Sequence, residues 1–204
     1  MTHPTFTTLT LAAYGWSPVD WQRAFYPDDL PSDWQVSYYA NEFSSVLLPA
    51  TAWGNVPLAD AAYWRAEVGE DFSFYVEVTP ALLRAECLAR VQQAIEQHLA
   101  AQLAGMVVTE DALSDLPAAW LNRFEIHTLQ PAQCLATMPV NATAQLGIVR
   151  ALQPLTALAL RELFETLQQQ TAHKDVVLFL DVPYTVVEQI RWMQQLYGVW
   201  NTAG

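Results

Sequence analysis

Short runs rich in β-branched and aromatic residues alternate along this chain with longer segments of helical periodicity, and no other feature limits its fold so tightly. Residues 6–13, 45–48, 72–78, 106–109, 123–128, 146–152 and 176–180 read as strands, with 197–200 as a candidate eighth. Residues 31–41, 58–67, 81–103, 116–121, 154–170 and 183–196 read as helices. Strands separated by helices favour a parallel sheet with right-handed crossovers. The count predicts an α/β fold of the small TIM-type (β/α) barrel kind, complete or trimmed, because 204 residues stand near the low end of about 200 for that architecture. An open doubly wound parallel sheet is the alternative.

Local signals sharpen the elements. Ser32 stands where it could cap the helix at 31–41, and Pro154 suits the first turn of the helix at 154–170. The longest helix, 81–103, carries Leu83, Leu88, Val91, Ile95, His98 and Leu99 on one stripe and ends near Gly105. In the helix at 154–170 the stripe is Leu155, Leu158, Leu163 and Leu167. In the strand at 72–78, Phe72, Phe74, Val76 and Val78 share one face, while Ser73, Tyr75 and Glu77 share the other. Enclosure of the strands by helices predicts that Phe74, Val76, Val107, Ile148, Val177 and Phe179 are buried.

Composition decides domain count and removes several functions. At 204 residues and 52% hydrophobic side chains, the chain has material for one core, so residues 1–204 read as a single domain. The net charge of −12 repels phosphate backbones and argues against nucleic acid as a partner. No apolar run approaches the roughly 20 residues that cross a bilayer, and no leader pattern opens the chain, so a cytoplasmic protein without membrane contact is expected. Cys87 and Cys134 lack metal or redox spacing and read as reduced thiols. Gly-x-Gly-x-x-Gly, Walker and Gly-x-Ser-x-Gly motifs are absent, which argues against dinucleotide, nucleotide and hydrolase sites of those types. The cofactor stays unknown, and so does the oligomeric state.

Tyr14-Gly15-Trp16-Ser17, Asp20-Trp21, Phe25-Tyr26-Pro27, Leu30-Pro31, Trp34 and Tyr38-Tyr39-Ala40 resemble the opening of the YecE-like family, domain-of-unknown-function family seventy-two. The likeness continues through Phe43, Val46, Thr51 and Trp64 to the run 71–76. It implies a TIM barrel with a polar pocket at its mouth and supplies no reaction. Where the family usually shows Val-Glu-Ile-Asn-Ser-Thr-Phe-Tyr, this chain has Val46-Leu47-Leu48-Pro49-Ala50-Thr51-Ala52-Trp53. The pocket glutamate and asparagine are therefore replaced by Leu47 and Pro49. Glu77 stands where the family usually has lysine, a reversal of charge. The resemblance thus implies a divergent, shortened relative with its inherited site dismantled or rebuilt.

Two constellations carry chemistry. Glu77, Glu125, His127, Arg150 and Asp181 fall near predicted strand ends, where barrel enzymes place their reacting groups. They are the candidate catalytic residues. Glu125, His127 and Asp181 are also candidate metal ligands, and Arg150 a receptor for an anionic group. The competing reading is a set of ion pairs between strand ends. Trp16, Trp21, Tyr26 and Trp53, with Phe25, crowd the loops after the first two strands and read either as ligand-binding rings or as packing that pins the long loop. His3, His98 and His173 have no paired ligand spacing. The expected function is non-catalytic or weakly catalytic binding of a small molecule or a protein partner. A metal-assisted enzyme acting on a small sugar-like or phosphorylated substrate is the alternative. Four or more strand-end candidates around one point would favour the enzyme.

Overall fold

A computed structural model of the chain describes residues 8–16, 21–53, 58–129, 144–170 and 175–197. Its strands are β1 (Thr8–Tyr14), β2 (Ser45–Leu48), β3 (Ser73–Val78), β4 (Leu103–Thr109), β5 (Ile126–Leu129), β6 (Gln145–Arg150) and β7 (Asp175–Asp181). Every pairing is parallel, in the order β5-β4-β3-β2-β1-β7-β6. The sheet curls into a nearly closed TIM-like barrel with one unsealed seam between β5 and β6 among the described residues. Of the candidate eighth strand, Tyr197 is the last residue of a helix, and 198–200 lie outside the described residues.

Strand alternation explains why this sequence closes. Leu9, Leu11 and Ala13 of β1 face the helices, as do Val46, Leu48, Phe74, Val76 and Val78 of the next two strands. The other parity faces inward, where Ala12, Leu47, Tyr75, Val107, Ile148, Val177 and Phe179 fill the barrel as a separate cluster. Phe74, Val76, Val107, Ile148, Val177 and Phe179 are all buried, as their sequence pattern predicts. Tyr75 and Phe179 meet edge to face across the interior, with centroids 5.0 Å apart. Removing a ring of this kind costs about 3–5 kcal/mol.

The helices are α1 (Trp21–Ala24), α2 (Gln35–Glu42), α3 (Ala50–Trp53), α4 (Leu58–Glu67), α5 (Ala85–Ala94), α6 (Ala118–Leu121), α7 (Ala157–Gln170) and α8 (Tyr184–Tyr197). Ser32 opens a 3-10 turn, Ser32–Trp34, and makes no capping bond, because Pro31 holds the cap position. The segment expected to run as one helix over 81–103 begins at Ala85 and finishes as a π turn, Ile95–Leu99. Gly105 therefore does not end a helix. It lies inside β4, where a Cβ would stand 3.2 Å from the His127 ring and 3.3 Å from Tyr75.

Pro154 lies before α7 rather than in it. The Thr156 hydroxyl accepts from Ala159 N at 3.2 Å and caps the helix there. Upstream, the Gln189 amide accepts from Leu155 N at 3.1 Å and donates to Leu155 O at 2.9 Å, which fixes the chain as it enters α7. The buried stripe of α7 is Leu160, Phe164 and Leu167, and Leu158 is exposed.

One side chain ties the first two strands below their short ladder. The Tyr39 hydroxyl accepts from Ala13 N at 2.8 Å and donates to Ser45 O at 2.7 Å. It is fully buried, so no water can substitute for it.

Candidate functional site

The C-terminal ends of β1, β3, β6 and β7 bring Tyr14, Glu77, Arg150 and Asp181 together at one mouth. Because β2 stops at Leu48, the strands on either side of it can touch over its end. The Tyr14 hydroxyl donates to Glu77 Oε2 at 2.7 Å, and Ala50 N, the first amide of α3, donates to the same oxygen at 2.9 Å. Trp53 Nε1 donates to Glu77 O at 2.9 Å, so α3 is fastened to β3 at both of its ends. Gly15 follows with φ +88° and donates its N–H to Leu47 O at 2.7 Å, a left-handed turn that L side chains rarely adopt.

Across the mouth, the Arg150 guanidinium carbon stands 5.1 Å from the centre of the Tyr14 ring. Arg150 Nε lies 3.6 Å from Asp181 Oδ2, and the two side chains are 45% and 41% exposed. The strand register sets them side by side. Burial first, and then the hydrogen bond to Glu77, raises the Tyr14 pKa well above the ordinary phenol value. Tyr14 is thus a proton donor at any physiological pH, and Glu77 is an acceptor already engaged twice.

The structure separates the other two candidates from this group. Glu125 precedes β5, and His127, its second residue, is in register with Val107 and through it with Glu77, but its ring packs against Gly105 beside Tyr75. The expected strand at 123–128 starts late because Trp120 O accepts from Arg123 N at 3.1 Å and from Phe124 N at 3.0 Å, which winds 123 and 124 into a turn after α6. His127 faces the interior and is fully buried, with Nε2 3.4 Å from Glu125 Oε2 but no hydrogen bond at either ring nitrogen. Burial pushes its pKa down to about 4. The candidate metal ligands Glu125, His127 and Asp181 are not gathered around one point. Among the described residues no group of three His, Cys, Asp or Glu could hold one ion.

The aromatic candidates pack in the layer between sheet and helices, and of them Trp53 also reaches the mouth, through its Nε1 bond to Glu77 O. Trp21 and Trp53 are buried, as is Tyr26, whose hydroxyl donates to Trp16 O at 2.5 Å. Trp21 Nε1 donates to Val182 O at 2.8 Å. Trp16 packs against Tyr39, Trp64, Phe72 and Phe74. These large apolar surfaces are stabilised by covering the outward faces of β1 and β3, which leaves them pinning the long first loop. His98 is half-buried in the π turn, Cys87 is a half-buried free thiol, and His3, Cys134 and His173 lie outside the described residues.

Tyr14 was legible as a site residue through its parity with Ala12, which puts it inside at the last position of β1. The amide of Ala50 had no such signal, since its role depends on where α3 begins.

Comparison with known proteins adds a family. The profile of the family described as "Protein of unknown function DUF72" matches residues 10–124. A crystal structure of a DUF72 family protein from Enterococcus faecalis V583 superposes with a TM-score of 0.61 at 12% identity, covering 95% of this chain and 99% of that one. Another, of a DUF72 family protein from Thermotoga maritima MSB8, gives 0.55 at 15% identity, over 92% and 99%. At these identities the likeness shows a shared fold. No curated protein matches the chain.

Proposed function

The chain belongs to the DUF72 family, the YecE-like family that its opening residues resemble, and on that premise we propose that it binds a small acidic molecule at the C-terminal mouth without strong catalysis. The exposed Arg150–Asp181 pair, beside a Glu77 whose Oε2 already takes two hydrogen bonds, carries this reading. At 3.6 Å and nearly half exposed, the pair is weakly held, so an incoming carboxylate or phosphate can replace Asp181 at small cost. The guanidinium offers a planar fork to such a group, and Tyr14 keeps it oriented from below. Asp181, once displaced, can accept from a hydroxyl or amine on the same ligand.

The metal-assisted alternative draws less support, since three of the five strand-end candidates converge and the described carboxylates and histidines form no three-ligand group. A net charge of −12 weighs against nucleic acid as the acidic partner. A cytoplasmic setting, with Cys87 kept as a thiol, is part of this reading; no described helix is long and apolar enough to cross a membrane.

A thermal-shift screen of small carboxylates and phosphates, run in parallel on wild type and Arg150→Ala, tests the proposal. Stabilisation of wild type alone supports it. A screen with no response, or one in which the variant responds equally, removes it.

A further inference from the structure

A cavity of about 470 Å³ opens at the N-terminal end of the barrel, away from Arg150 and Asp181. Thr10 of β1, Ser45 of β2 and Ser73 of β3 line it together with Ser44, Asp71, Tyr75 and Val177. Ser45 and Ser73 are register partners on adjacent strands, and Thr10 pairs with Val177. All three hydroxyl residues have the inward parity, since Leu9, Leu11, Val46 and Phe74 face the helices. Barrel interiors are ordinarily filled with branched aliphatic side chains, so small hydroxyl residues on three neighbouring strands leave open space and line it with polar atoms.

Ser45 supplies an independent observation. The residue is only 4% exposed, and its Oγ has no hydrogen-bond partner. Its carbonyl is taken by Tyr39, but that bond does nothing for the hydroxyl. A buried hydroxyl left without a partner is destabilising, and a valine here would suit a strand and fill space. A ligand that exchanges hydrogen bonds with Ser45 would account for the serine.

We propose that this cavity binds a neutral polyol of monosaccharide size. Hydroxyl groups both donate and accept, which matches a ligand carrying several hydroxyls of its own. Asp71 can accept from two neighbouring hydroxyls, while Tyr75 and Val177 offer apolar surface to the carbon skeleton. Among the described residues no Lys or Arg lines the cavity, and the Asp71 carboxylate on its wall disfavours an anion. The volume falls in the range of about 300–1,000 Å³ usual for small-ligand sites.

Saturation-transfer NMR on the full chain with D-glucose, D-ribose and myo-inositol tests this, with choline as a cationic control. At least one polyol should receive saturation from wild type. The signal should vanish in Ser73→Phe, which fills the cavity. Affinity should fall about three- to tenfold in Ser45→Ala and in Asp71→Asn, each of which deletes or weakens a hydrogen bond without adding bulk. Arg150→Ala should bind the polyol as wild type does, which separates this site from the mouth. The proposal is overturned by silence from all three polyols, by transfer to choline alone, or by polyol binding that survives Ser73→Phe, Ser45→Ala and Asp71→Asn unchanged.

Discussion

The Tyr14 hydroxyl meets Glu77 Oε2 at 2.7 Å over the end of β2, so β1 and β3 are joined directly although β2 lies between them. The resemblance carried by the opening residues implies a glutamate on β2 and a lysine on β3; here Leu47 and Glu77 stand in those places. Glu77 takes its positive partners from the amide of Ala50 and the phenol of Tyr14 instead of from a cation. Tyr14→Phe should therefore lower stability by about 1–2 kcal/mol in urea denaturation, the cost of a charge-assisted bond with Ala50 N still in place. No loss would mean that Glu77 is held well enough without Tyr14.

Tyr39→Phe should cost more, about 2 kcal/mol or greater, because it orphans both Ala13 N and Ser45 O in a fully buried place. The measurement is again the urea midpoint, with an unchanged m-value showing that the native and denatured surfaces are the same.

His127 makes a pH prediction with a definite sign. Its folded pKa, about 4, lies below the ordinary 6.5, so the unfolded chain binds the proton more readily. This contribution is fully present above about pH 6.5 and is lost as pH falls toward 4, by up to roughly 3 kcal/mol. His127→Leu should flatten the stability profile across that window. A variant as acid-sensitive as wild type would assign the loss to other groups.

Much of this was readable in the sequence, and the exceptions share a cause. Ser45–Leu48 and Leu58–Glu67 coincide with the ranges that periodicity gave, because each is bounded by clear turn residues. Phe72 to Val78 also sorted into faces correctly, since period-two alternation is local information. The failures involve long-range contacts. Gly105 looks like a helix stop until β4 is laid against His127 and Tyr75, and Glu125 looks like a strand-end acid until the turn after α6 delays β5. The mouth was half legible: Glu77, Arg150 and Asp181 stand at neighbouring strand ends as their positions suggested, whereas the rings of Trp16, Trp21, Tyr26 and Trp53 pack in the aromatic layer outside the sheet, a placement set by contacts far apart in sequence.

Leu47→Glu tests whether the polar family position has become core. Leu47 is fully buried among Ala12 and Tyr75 in the barrel interior. Losing it forfeits about 2–3 kcal/mol of burial, and the new carboxyl must either ionise unpaired or stay protonated. Its folded pKa would be raised, so the damage relative to wild type should be greater at pH 8 than at pH 5 in thermal melts. Equal damage at both would show that a partner for the acid is still waiting there.

The binding role of the mouth is tested most directly at the Arg150 side chain, by following its Nε–H resonance while small carboxylates and phosphates from the thermal screen are titrated into labelled protein. The account predicts a saturable shift of that resonance with at least one such compound, unchanged in Asp71→Asn, whose site lies at the other end of the barrel. An Arg150 resonance that stays fixed while a compound binds elsewhere, or that moves only with bulk ionic strength, would contradict it.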